Sequence, residues 1–150
     1  MARLLIVAHA PLASALAEVA AHTYADCAAS VRALDVTPEM GPEQVQALAL
    51  QLLQQAEPGE TLILTDVFGA TPCNAAQRLA DGVRVRIVTG VNVPMLWRTL
   101  CYAGEPLDAL VARALAGATQ GVMQAGASRP QQQARSAGPE DAEEQRHHHQ

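Results

Sequence analysis

The chain has 150 residues, a net charge of −5 and 49% apolar side chains against 17% charged. One domain accounts for that length and can bury about 70% of the unfolded chain's surface. The acidic balance argues against a general nucleic-acid binder, and no apolar run reaches the roughly 18 residues of a membrane span. All ten basic residues are arginine, which excludes a Schiff-base lysine, a phosphate-loop lysine and the lysine-assisted aspartyl phosphorylation of an ordinary receiver domain. The three cysteines, Cys27, Cys73 and Cys101, are far apart. They support neither a disulfide framework nor a CxxC metal site, and they suit a reducing cytoplasm.

Along the chain, residues 4–8 form a short apolar run of strand length. Residues 11–26 are Ala-rich, with Pro11 placed for a first helical turn. A second strand is predicted at 30–36. Residues 42–56 carry Val45, Leu48, Ala49, Leu52 and Leu53 at helical spacing, and Pro58-Gly59 ends that helix. Thr61–Thr65 reads as a buried strand, and Thr71-Pro72 reads as an N-cap followed by Pro at the first helical position of a helix reaching Ala80. Asp81-Gly82 turns the chain into a fourth strand at 83–88. Helices are predicted at 94–102 and 106–116, and residues 121–124 leave room for a further short strand. Residues 1–126 form the folded domain; 127–150, rich in Gln, Ala, Pro and charge, read as a disordered polar tail whose His147, His148 and His149 are solvated. Alternating strands and helices with continuously apolar strands imply an α/β fold, a parallel sheet covered on both faces.

Ligands of open α/β sheets bind beyond the carboxyl ends of the strands, where the strand order reverses. His9 follows the first strand and is the only imidazole so placed. It is either a helix-capping or core-edge histidine or a nucleophile. Asp66 closes the third apolar run; it either binds amides of its own loop or accepts a hydrogen bond from one ring nitrogen of His9, freeing the other. Phe68-Gly69-Ala70-Thr71-Pro72 then leads into a helix whose free amides, with the Thr71 hydroxyl, suit a phosphate. Together these groups describe phosphohistidine chemistry. A hydrolase lacks its nucleophile, since there is no G-x-S-x-G elbow. No G-x-G-x-x-G follows a strand. His22 and Cys73 read as structural, and Trp97 as a core or subunit-contact residue.

The segment from Thr65 to Ala76, TDVFGATPCNAA, resembles the signature of the enzyme IIA component of the mannose/fructose/sorbose-type phosphotransferase system. Gly90 to Leu96, GVNVPML, is similar to its second signature, and His9 falls where that family carries its phosphorylated histidine. The likeness covers residues 2–125. It implies a doubly wound, mainly parallel sheet in the order 2-1-3-4 with helices on both faces and, often, an antiparallel C-terminal edge strand. It implies a cytoplasmic phosphotransferase that takes a phosphoryl group from HPr onto His9 and passes it to a IIB protein for sugar uptake. Asp66 would orient His9, and Phe68, Gly69, Ala70 and Thr71 would hold the phosphoryl oxygens. No metal or other cofactor is needed, and members usually form homodimers. Asn74 and Asn92 match motif positions and are expected to brace loops. The chain departs from the family pattern at Ala10-Pro11, at Ala70 and at Cys73, where Gly, Gly and an aromatic residue are common. A regulatory phospho-acceptor, read by another protein without sugar transport, would use the same His9. A small-ligand binding domain, with His9 as a hydrogen-bonding group, is the third reading.

Overall fold

The computed structural model describes residues 1–56 and 58–126. The segment 127–150, expected as a tail, lies outside the described residues. In chain order the elements are β1 (Arg3–His9), α1 (Leu12–Thr23), a 3-10 stretch (Ala25–Ser30), β2 (Val31–Val36), α2 (Pro42–Gln54), β3 (Thr61–Thr65), α3 (Thr71–Gln77), β4 (Val85–Thr89), α4 (Val93–Cys101) and α5 (Leu107–Gln120).

The four strands make one sheet in the order β2-β1-β3-β4, with every pair parallel. The chain steps from β1 outward to β2, then returns past β1 to β3. Right-handed crossovers therefore put α1 on one face and α2 and α3 on the other. The side chains follow that division. Leu4, Ile6, Ala8, Leu62, Leu64 and Val88 pack with α1, α4 and α5. Leu5, Val7 and Ile63 pack with Val45 and Ala49 of α2 and with Ala75 and Ala76 of α3. Every residue of β3 is buried, as a central strand covered on both faces requires. Each fully buried Leu or Ile there is worth roughly 1.5–3 kcal/mol over its exposed state.

Element ends differ from the sequence expectation where a local bond redirects the backbone. α1 stops at Thr23 because Tyr24 leaves the helical region at φ −128°, and a 3-10 stretch leads into β2. The helix predicted to reach Ala80 ends at Gln77; Arg78, Leu79 and Ala80 then make tighter bonds to the carbonyls three residues back. β4 begins at Val85 rather than at 83, because Asp81 Oδ1 accepts the amides of Val83, Arg84 and Val85 and draws them into a turn. Helix α5 runs to Gln120 instead of stopping at 116. The short strand predicted at 121–124 does not form, and among the described residues no antiparallel edge strand joins the sheet. Gly121 still bonds back to Gly117 in the helical manner, and Val122 to Gln124 are exposed coil.

The packing of α4 on α5 depends on two glycines. A Cβ on Gly117 would lie 2.7 Å from Arg98 Cβ, and one on Gly121 would lie 2.3 Å from Pro94 Cβ and Cγ. Asn92 completes the lock: its Oδ1 accepts the Met95 amide at 2.8 Å, and its Nδ2 donates to the Ala118 carbonyl at 3.3 Å. Gly121→Ala is expected to cost about 1–3 kcal/mol through overpacking against Pro94, read as a lower urea midpoint. Gly104→Ala, with nothing within 4 Å of the added carbon, should change stability by less than about 0.5 kcal/mol. Equal midpoints for the two variants would show that Pro94 gives way freely.

Candidate active site

The chain reverses its direction of travel across the sheet between β1 and β3, so the carboxyl ends of these two strands flank the crevice. His9 is the last residue of β1, and Asp66 is the first residue after β3. Val7 pairs with Thr65 in register, so His9 projects beyond the last β1–β3 pair and reaches Asp66 from there. One carboxylate oxygen, Asp66 Oδ2, accepts two bonds, from the His9 amide at 3.0 Å and from the His9 ring at Nδ1, 2.7 Å away. The other oxygen, Oδ1, accepts the Val67 amide at 3.0 Å. The Asp66 side chain is 12% exposed and that of His9 is 54% exposed.

Partial burial pushes the Asp66 carboxyl upward. The bonds from the His9 amide, the His9 ring and the adjoining backbone outweigh that effect, so its pKa lies below the ordinary aspartate value of 3.8. An ionised carboxylate can only accept, so Nδ1 carries the proton in the neutral ring and Nε2 keeps its lone pair. The His9 ring is thus held at Nδ1 by Asp66, with Nε2 outside that contact on a side chain that is half exposed.

The loop after Asp66 is shaped by Gly69, whose φ of +89° suits no L side chain. Ala70, not Thr71, is the N-cap of α3: it is extended, at φ −97° and ψ 168°, and offers no side-chain cap. Thr71 already has helical geometry, because Pro72 fits the first turn and needs no amide partner there. The Asn74 side chain donates to the Gly69 carbonyl at 3.3 Å, and its amide bonds the Ala70 carbonyl at 2.9 Å, so the loop is closed upon the helix it introduces. The second glycine turn, at Gly90 with φ +86°, lets the Val91 amide reach the Thr65 carbonyl at 2.9 Å. The bracing expected of Asn74 and Asn92 is what the side chains do.

Phe68 is 72% exposed and Val67 is also exposed, so the loop that follows Asp66 presents apolar surface. Cys73 is buried packing, as read. His22 is exposed in the last turn of α1, and Trp97 is partly exposed on α4 rather than a core residue. Among the described residues no three His, Cys, Asp or Glu side chains gather as a metal site, and no helix is long and apolar enough to cross a membrane. Sequence reasoning missed Asp35. It is the penultimate residue of β2, and its Oδ1 accepts the amide of Ser14, 21 residues earlier in the chain. The only signal for it was a carboxylate near the carboxyl end of a predicted strand.

The chain is a doubly wound α/β domain with a carboxylate-held histidine at its switch point. A family model described as the PTS system fructose IIA component matches residues 3–115, and the chain belongs to this family. Membership gives it a phosphotransfer role in the phosphotransferase system. It is 33% identical over 97 residues to the sorbose-specific EIIA component of Lacticaseibacillus casei, covering 62% of this chain and 67% of that one. Its fold is similar to the mannose/sorbose-specific IIA subunit from Enterococcus faecalis, with a TM-score of 0.77 at 24% identity, over 85% of this chain and 97% of that one. It is also similar to the EIIA component from Streptococcus agalactiae, with a TM-score of 0.74 at 21% identity, over 83% and 97% of the two chains.

The lowered pKa of Asp66 makes this contact a source of stability that depends on pH. A depressed folded-state pKa stabilises the protein fully above the unfolded value and stops doing so as pH falls through the folded value. Asp66→Asn should therefore be less stable than wild type near neutrality, with the gap closing in acid below the ordinary value of 3.8. Urea unfolding of both proteins across that range checks this; a gap that stays constant into acid would contradict the shift.

Proposed function

We propose that the chain is a cytoplasmic phosphoryl carrier that accepts phosphate from phosphorylated HPr on His9 and passes it to a IIB protein. What supports this most is the 2.7 Å bond between His9 Nδ1 and Asp66 Oδ2, which leaves Nε2 as the attacking atom. In the acceptance step the Nε2 lone pair forms a bond to phosphorus while the bond from phosphorus to the donor's imidazole nitrogen breaks. The donor ring, protonated on its other nitrogen and so positive while phosphorylated, leaves as neutral imidazole, and the His9 ring takes on that positive charge. Asp66 balances that charge through Nδ1–H, without itself being protonated. The phosphoryl oxygens lie against the Phe68–Thr71 loop, where Phe68, Gly69, Ala70 and Thr71 offer backbone amides and Thr71 a hydroxyl. Transfer to the IIB protein runs the same exchange in reverse. Positioning and charge stabilisation carry the catalysis, with no metal or other cofactor in the scheme.

The exposed Val67 and Phe68 supply apolar surface on which HPr and the IIB protein dock in turn. A second copy of the chain is the remaining partner. β4 pairs only with β3 among the described residues, and the exposed Val122 and Met123 beyond α5 add apolar surface for such a homodimer.

Incubation with phosphoenolpyruvate, enzyme I and cognate HPr, followed by intact-mass analysis, should add one acid-labile phosphoryl group. His9→Ala should add none while keeping its fold, because the side chain stands at a rim. Asp66→Asn should slow labelling about 100-fold, the scale of losing an orienting contact. Labelling that persists in His9→Ala would overturn the site. Labelling of wild type without onward transfer to any IIB protein would leave a regulatory phospho-acceptor.

A further inference from the structure

The turn that carries His9 into α1 has a local weakness. Pro11 is the N-cap of α1, has no side chain able to cap, and brings no amide of its own. The first turn of α1 must find acceptors elsewhere; β2 supplies one to it, and another to the residue just before Pro11. The Ala10 amide donates to the Val36 carbonyl at 2.9 Å, and the Ser14 amide donates to Asp35 Oδ1 at 3.0 Å. Within the turn, Ser14 Oγ donates to the Pro11 carbonyl at 3.1 Å. Asp35 pairs with Ala8 in register, so its side chain shares the face on which α1 packs. His9 itself pairs with Val36 and is bonded on its other side to Asp66, so it hangs between the ends of β2 and β3.

We propose that Asp35 is a positioning residue for His9: by capping α1 from the neighbouring strand, it holds the His9–Pro11 turn so that Nδ1 meets Asp66 and Nε2 faces the incoming phosphoryl group. The role rests on His9 being the phosphoryl acceptor. Asp35 touches no reacting atom. Its work is done by an oxygen acceptor at the right place, assisted by negative charge at a helix N-terminus.

The test compares wild type with Asp35→Ala, Asp35→Asn and Asp35→Glu in single-turnover labelling by phosphorylated HPr, alongside nitrogen NMR of the His9 ring. Asp35→Ala should slow the maximal rate about 10- to 100-fold, as small misplacements of a reacting group do, with the HPr concentration for half-maximal rate little changed. Asp35→Asn keeps an oxygen acceptor and should recover most of the rate. Asp35→Glu keeps the charge but shifts the oxygens, and should stay slow; it also serves if the alanine variant fails to fold. In wild type the ring signals should show one tautomer, protonated at Nδ1, and in Asp35→Ala a mixture. A wild-type rate in both Asp35→Ala and Asp35→Glu would overturn the proposal, as would an asparagine variant as slow as alanine. If wild type is never labelled, the carrier function falls instead, and an unchanged ring spectrum in Asp35→Ala and Asp35→Glu would still dispose of the positioning role.

Discussion

One oxygen atom organises this protein. Asp66 Oδ2 accepts both the backbone amide and the ring of His9, and a shared acceptor of that kind tolerates little displacement of either strand. β1 and β3 must be neighbours, parallel and in the observed register, with His9 projecting past the last pair. Those conditions are met by the order β2-β1-β3-β4. The order in turn depends on having apolar side chains on both faces of β1 and β3, since a central strand with a polar face could not carry helices on each side. The chemistry at the rim is therefore tied to the alternation of Leu4, Ile6 and Ala8 against Leu5 and Val7 deep in the sheet.

The charges around the site carry a second consequence. The ion pairs of Arg78 with Glu43, Arg86 with Asp108 and Arg113 with Glu105 tie helices and strands together away from His9. The bonds that define the His9–Asp66 site come from backbone amides and an imidazole. For the proposed transfer this suits a carrier. A fixed guanidinium beside the phosphohistidine would hold a dianion by a strong bidentate contact and oppose its release. Amide dipoles stabilise the same oxygens more weakly, so the group can arrive and leave along one path.

Much of this was legible in the residues. Thr61–Thr65 appears with the predicted bounds because a continuous apolar run has no other place than the centre of the sheet. His9 and Asp66 were identifiable because each follows such a run. The misread element ends fall where local hydrogen bonding or backbone geometry overrides propensity. Asp81 takes three amides that would otherwise begin β4, and Thr71 looked like a cap although Ala70 occupies that position. Asp35 was invisible as a functional residue because its partner, Ser14, becomes a neighbour only when β2 lies beside β1. A cap supplied across strands leaves no spacing signature along the chain.

The three departures from the family pattern differ in what they ask of the structure. Ala70 stands where glycine is common, but its φ of −97° is ordinary for any side chain, so that exchange costs no backbone strain. Cys73 replaces an aromatic residue and is buried with the first turn of α3, so its effect is on packing volume and not on the reacting groups. Ala10-Pro11 is the consequential change. Pro11 brings neither an amide nor a capping side chain to the turn that follows His9. Bonds from Ala10 and Ser14 to the end of β2 now hold that turn. The position of His9 is therefore a property of three strands: β1 carries it, β3 orients its ring, and β2 secures the turn that follows.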